Sequence, residues 1–140
     1  MDLFMQEGMR RLGQDNVLLK VWALMDWGRI KQVLYRYKLR SRFGRRGYEP
    51  VMLFRCLLLG QWHGLSDQKL EESLKVRLDF MLFAGLDLHG DIPDETTHCR
   101  FRGALVKAGA YDDLLTEVCA QIEDHGLKVK HAEAAINDAT

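Results

Sequence analysis

The sequence predicts an all-α fold: a compact multi-helix bundle with a helix-turn-helix-like segment, followed by a short strand-like tail. Three observations carry that expectation. Apolar residues recur at helical spacing through most of the 140 residues. Asp, Ser, Pro and Gly stand where helices start and stop. Hydrophobic residues make up 47% of the chain, enough for one real core.

Taken in order, Asp15 is placed to cap a helix whose apolar positions are Leu18, Leu19, Trp22 and Met25. Asp26 is placed to cap a second, with Trp27, Ile30, Leu34 and Tyr37. The stretch "YRYKLRSRFGRRGYEP" then alternates aromatic and cationic residues and is broken by Gly44 and Gly47. Pro50 suits a helix first turn, and "VMLFRCLLLGQWHG" is apolar nearly all round, which predicts the central, most buried helix, ended by Gly64. Ser66 opens "SDQKLEESLKV", with Leu70 and Leu74 inward, and "LDFMLFAGL" ends at Gly85. After the turn-rich "DLHGDIPDE", Asp94 is a good N-cap for "ETTHCRFRGALVKA", closed by Gly109. A last amphipathic helix, "YDDLLTEVCAQIEDH", closes at Gly126. The only strand-like pieces, "LKVK" and "AAIND", follow it, so the expected division is a helical domain over 1–126 and a tail over 127–140.

Twenty basic and twenty acidic residues cancel, but their distribution is uneven. From Arg29 to Arg46 the chain carries Arg29, Lys31, Arg36, Lys38, Arg40, Arg42, Arg45 and Arg46 and no acid. From Ala110 to Gly126 it carries Asp112, Asp113, Glu117, Glu123 and Asp124 and no Lys or Arg. This predicts one end facing a polyanion and another facing solvent or protein. Cys56, Cys99 and Cys119 are widely spaced and predict half-buried apolar residues in a reducing compartment, and no histidine stands at zinc-ligand spacing from them. No apolar run approaches the roughly 20 residues a membrane span needs, and the start "MDLFMQEGMRRL" is no signal peptide, so the expected location is the cytoplasm.

Two stretches invite DNA. Along the helix opened by Asp94, Thr97, Phe101, Leu105 and Ala108 project to one face, and Thr96, Arg100, Gly103 and Lys107 to the other. Three short helices (66–75, 77–84 and 94–108) ending in a cationic one have the build of a helix-turn-helix variant. In it, Arg100 would meet guanine and Thr96 a thymine methyl or a phosphate. The alternative is an ordinary surface helix, and the loop before it is long for that motif. His98 reads as a packed histidine. In the basic segment, Arg36, Lys38, Arg40, Arg42, Arg45 and Arg46 suit backbone phosphates, with Tyr35, Tyr37 and Phe43 packed on sugars or bases. The alternative puts those aromatics in the core, with the arginines extended over it. Asp138 by itself is no catalyst, because metal-assisted phosphoryl chemistry needs several carboxylates around ions about 3.5–4 Å apart.

Several pieces, in order and spanning nearly the whole chain, resemble the amino-terminal region of InsH-type transposases, the family of insertion sequence five. They are "DWGRIKQVL", "GRRGYEPVMLFRCLLLGQWHGLSDQKLEESLKVRLDFMLFAGLDL", "IPDETTHCRFRGAL" and "INDAT". The resemblance implies a helical domain that binds the terminal inverted repeats of double-stranded DNA, then an RNase H-like domain whose Asp-Asp-Glu triad holds two Mg²⁺ ions. On that basis Asp138, in its "DAT" context, is the first Asp of the triad and a metal ligand only in a full-length enzyme. No position here receives the other two acids, and Asn137 stands where an apolar residue is usual. The tail would be the first strand of a catalytic domain not present in this sequence, the chain alone inactive and in need of no cofactor, and the setting bacterial and nucleoid-associated. Arg102 matches the family's "FR" pair, either as a DNA contact or as a structural tie to an acidic neighbour. A rival reading is a dimerisation module, forming homo-oligomers or pairing with full-length transposase, with Leu114, Leu115, Val118 and Ile122 as seam rather than core.

Overall fold

The computed structural model describes residues 3–39, 43, 47–86 and 90–126. Among them stand eight α-helices: α1 (Leu3–Leu12), α2 (Val17–Leu24), α3 (Trp27–Arg36), α4 (Pro50–Trp62), α5 (Asp67–Val76), α6 (Leu78–Ala84), α7 (Glu95–Ala108) and α8 (Tyr111–Asp124). The all-α bundle expected from the sequence is what forms. The tail over 127–140, with Asp138, lies outside the described residues.

Local chemistry sets most helix ends. Asp26, Ser66 and Asp94 each accept a hydrogen bond from the backbone N–H three residues on, satisfying one of the donors a helix start leaves open. Gly85 and Gly109 close α6 and α7 in the left-handed conformation. One cap differs from expectation: Asn16, not Asp15, caps α2, accepting from Leu19 N–H at 3.1 Å. Helix α1 is not among the expected helices, although Phe4, Met5, Met9 and Leu12 stand at helical spacing; its most buried inward position is a glycine. A Cβ on Gly8 would stand 2.8 Å from Leu82 Cδ1, so the absent side chain is what lets α1 approach α6.

Helix α4 is the axis of the fold. Leu53, Phe54, Cys56, Leu58 and Leu59 are all essentially inaccessible, and α3, α5, α6 and α7 pack around it. Within the expected helix-turn-helix segment the packing is not sequential. Helix α6 packs on α1, α2, α4 and α5, whereas α7 lies against α4, α5 and α8. The partner of α7 is thus α5, not the α6 that precedes it in the chain.

Candidate nucleic-acid interface

Two ties fix α7 on α5. The Arg102 guanidinium donates to both oxygens of Asp67, at 2.8 and 2.5 Å. At the start of α7, Glu95 N–H donates to Glu71 at 2.8 Å, and Thr97 N–H to Asp94 at 2.8 Å. Each bond leaves its mark on ionisation. The Arg102 bond holds the Asp67 carboxyl below its ordinary range, and the Glu95 and Thr97 amides do the same for Glu71 and Asp94. Of the two roles open to Arg102, the structure displays the tie to an acidic neighbour.

With Arg102 engaged below, Thr96, Arg100, Gly103 and Lys107 all face outward. Among the described residues no carboxylate forms an ion pair with Arg100 or Lys107; Asp67 serves Arg102, and Glu71 serves Lys75 and the Glu95 amide. Thr97, Phe101 and Leu105 are buried as projected, but Ala108 is exposed, because Gly109 turns the chain away before another turn can pack. His98 is fully buried, and neither ring nitrogen meets a hydrogen-bond partner. Burial therefore lowers its pKa, although Asp67, the Pro93 carbonyl, Asp94 and Glu71 pull the other way. It is a packed histidine.

The basic segment is less open than the sequence suggests. Helix α3, its first part, packs directly on the acidic α8, so the two charge blocks meet rather than occupy opposite ends. Arg29 Nε pairs with Glu117 at 2.9 Å, and the Tyr37 hydroxyl donates to Asp113. Gln121 fastens the same junction, accepting from Asp26 N–H at 2.7 Å. Arg36 lies in the same groove, beside Asp113 and Glu117, without an ion pair among the described residues, and Lys38 is exposed. Arg40, Arg42, Arg45 and Arg46 lie outside the described residues.

Of the three aromatics proposed for sugars or bases, two are turned to other work. Phe43 packs edge-on against Phe101 at 5.1 Å, and Tyr37 sits against the core. Tyr35 alone stays outward, 42% exposed. Next to it a cleft of about 480 Å³ runs between α3 and the start of α4, with Lys31, Trp27 and Arg55 in its walls. The sequence reading missed Arg55; its one signal was a lone charge in the apolar run "VMLFRCLLLG".

Two further expectations need correction. Leu114, Val118 and Ile122 are buried in the chain's own core, and Leu115 packs against it, so they form no free seam. The cysteines are not uniformly half-buried: Cys56 is buried, its thiol pushed up to about 12 by desolvation, whereas Cys99 is exposed on α7. Among the described residues no group of three or more His, Cys, Asp or Glu stands together as a metal site would need. No helix among them is long and apolar enough to cross a membrane.

No solved structure matches the chain. The model of a family described as Transposase domain (DUF772) does, over residues 6–104, from α1 into α7 and including Arg100, Arg102 and the whole α3–α4 cleft. That is well over half of the chain, which therefore belongs to this family of transposase domains and has its role in transposition.

Proposed function

We propose that this chain is the DNA-binding part of an InsH-type transposase, holding the terminal inverted repeats of its element through the outer face of α7 and the basic segment that starts in α3. The observation that carries the reading is the state of α7. Arg100 and Lys107 are exposed and have no carboxylate partner among the described residues, on a helix tied to α5 through Arg102 and the Glu95 amide. A rigid helix with free outward cations suits a DNA groove, because the register of its side chains is set before contact. Arg100 and Thr96 are the base-reading candidates, Lys107, Arg36 and Lys38 the phosphate contacts, and Arg40, Arg42, Arg45 and Arg46 join them on sequence grounds. Arg102 acts from beneath, by holding α7 in place.

A mobility-shift titration of the full chain on a terminal-repeat duplex and a scrambled duplex, at rising salt, tests this. Arg100→Ala should reduce the preference for the repeat by about 1–3 kcal/mol, whereas Lys107→Ala should weaken both complexes alike and lower the salt slope by about one. Salt-independent binding, or none at low ionic strength, removes the reading.

A further inference from the structure

The cleft between α3 and α4 has a composition that the packing of this chain does not explain. Arg55 lies with its guanidinium 4.5 Å from the Trp27 ring centroid, and its Nε is buried without a hydrogen-bond partner. Its far end comes close to the end of α6: Nη1 lies 3.1 Å from where a Cβ on Gly85 would stand. Burial lowers its pKa and the charge of Glu49 pulls it back, yet Arg55 forms no ion pair among the described residues. Glu49 itself is committed as the N-cap of α4, accepting from Met52 N–H. A half-buried cation without an ion-pair partner is costly, and an anion entering the cleft would relieve that cost.

The rest of the wall narrows the class of anion. Trp27 is fixed by its indole N–H on the Trp22 carbonyl at 3.1 Å and by the edge contact with Phe83 at 5.6 Å. Lys31 stands 5.5 Å from the Tyr35 ring centroid, at the open side, and Glu49, which also lines the cleft, has its carboxylate engaged at the N-terminus of α4. Two cations, each beside an aromatic face, suit a ligand that is anionic and flat together. The cleft, about 480 Å³, is an open groove with room for a single flat group against its wall. A base pair inside a duplex has no free face to offer; an unpaired nucleotide has.

We propose that this cleft takes an unpaired nucleotide at a DNA end, with its phosphate at Arg55 and Lys31 and its base against Tyr35. This rests on DNA being the partner of the chain, and it adds a second, end-specific contact at the α3–α4 cleft rather than on α7. The cleft reads no sequence; it distinguishes a frayed or overhanging end from a closed duplex.

Fluorescence anisotropy of the full chain with a labelled blunt duplex, and with the same duplex extended by a three-nucleotide single-stranded overhang, tests it. The overhang should bind roughly tenfold tighter. Tyr35→Ala should bring the overhang-to-blunt ratio to one, and Tyr35→Phe should keep it; Tyr35 is outward, so neither change disturbs the core. A ratio of one in the unaltered chain, or a ratio that survives Tyr35→Ala, overturns the assignment while leaving duplex binding intact. Displacement of the overhang by an acidic peptide but not by a free single strand would assign the cleft to protein instead. Failure to bind either duplex would remove the DNA reading itself, and this one with it.

Discussion

Single residues show where the chain departs from ideal local structure. Lys38 follows α3 in the left-handed conformation, φ 62°, which is strained for a side chain with a Cβ. Its position lets Leu39 N–H reach the Leu34 carbonyl at 2.8 Å and close the helix. Lys38→Gly should therefore stabilise the fold by about 1 kcal/mol, read as a shifted urea midpoint; a loss of stability would show that the lysine makes a contact that offsets the strain. His98 sets a pH dependence. Burial depresses its folded-state pKa below the ordinary 6.5, so the unfolded chain takes up the proton first as pH falls. Its contribution is complete above about pH 6.5 and is lost below that, as pH falls through the folded value. His63, half-buried with its Nδ1 at 2.9 Å from the Leu59 carbonyl, acts in the same direction. Urea midpoints measured between about pH 7 and pH 5 should decline, and less steeply in His98→Leu; an identical slope in that variant would assign the effect elsewhere.

At the scale of elements, α7 is the informative helix. Gly103 stands inside it on the outer face, and a Cβ there would meet nothing within 4 Å. Glycine in a helix interior costs about 1 kcal/mol relative to alanine, so Gly103→Ala should raise stability by about that amount. If DNA lies close against this face, the same change should also weaken the complex; the two measurements together separate a packing need from a ligand need. Much of α7 was legible beforehand. Asp94 and Gly109 mark its ends, and Phe101 and Leu105 its inner face, because caps and helical spacing are local properties. The choice for Arg102 between DNA and an acidic neighbour was not legible, since Asp67 lies 35 residues away in sequence. Helix α1 was legible in the spacing of Phe4, Met5, Met9 and Leu12, but its docking on α6 through Gly8 was not, since Leu82 lies far along the chain.

At the scale of the whole molecule, electrostatics turns on the meeting of α3 and α8. Glu117 is largely buried, 17% exposed, and engages Arg29, whereas the Arg29 side chain is 63% exposed. So wet a pair contributes little to stability but withdraws one cation from the surface proposed to face DNA. Glu117→Gln should release it: affinity for any duplex should rise at low salt, and the slope against log salt should steepen by up to about one. Unchanged affinity would place the α3–α8 groove away from the DNA. The domain thus presents its positive charge selectively, shielded where α8 covers it and open on α7 and at the α3–α4 cleft.

By itself the sequence determined the all-α class, the caps at Asp26, Ser66 and Asp94, the buried central helix and the outward stripe of α7. Each follows from interactions within a few residues, which periodicity and capping chemistry record directly. Only the tertiary structure decided that α5 rather than α6 supports α7, that the acidic helix covers part of the basic one, that Phe43 turns inward onto Phe101, and that Arg55 meets Trp27 in a cleft. Those outcomes depend on which surfaces meet when the helices close around α4, and charge or shape complementarity between distant segments leaves no periodic trace in the chain.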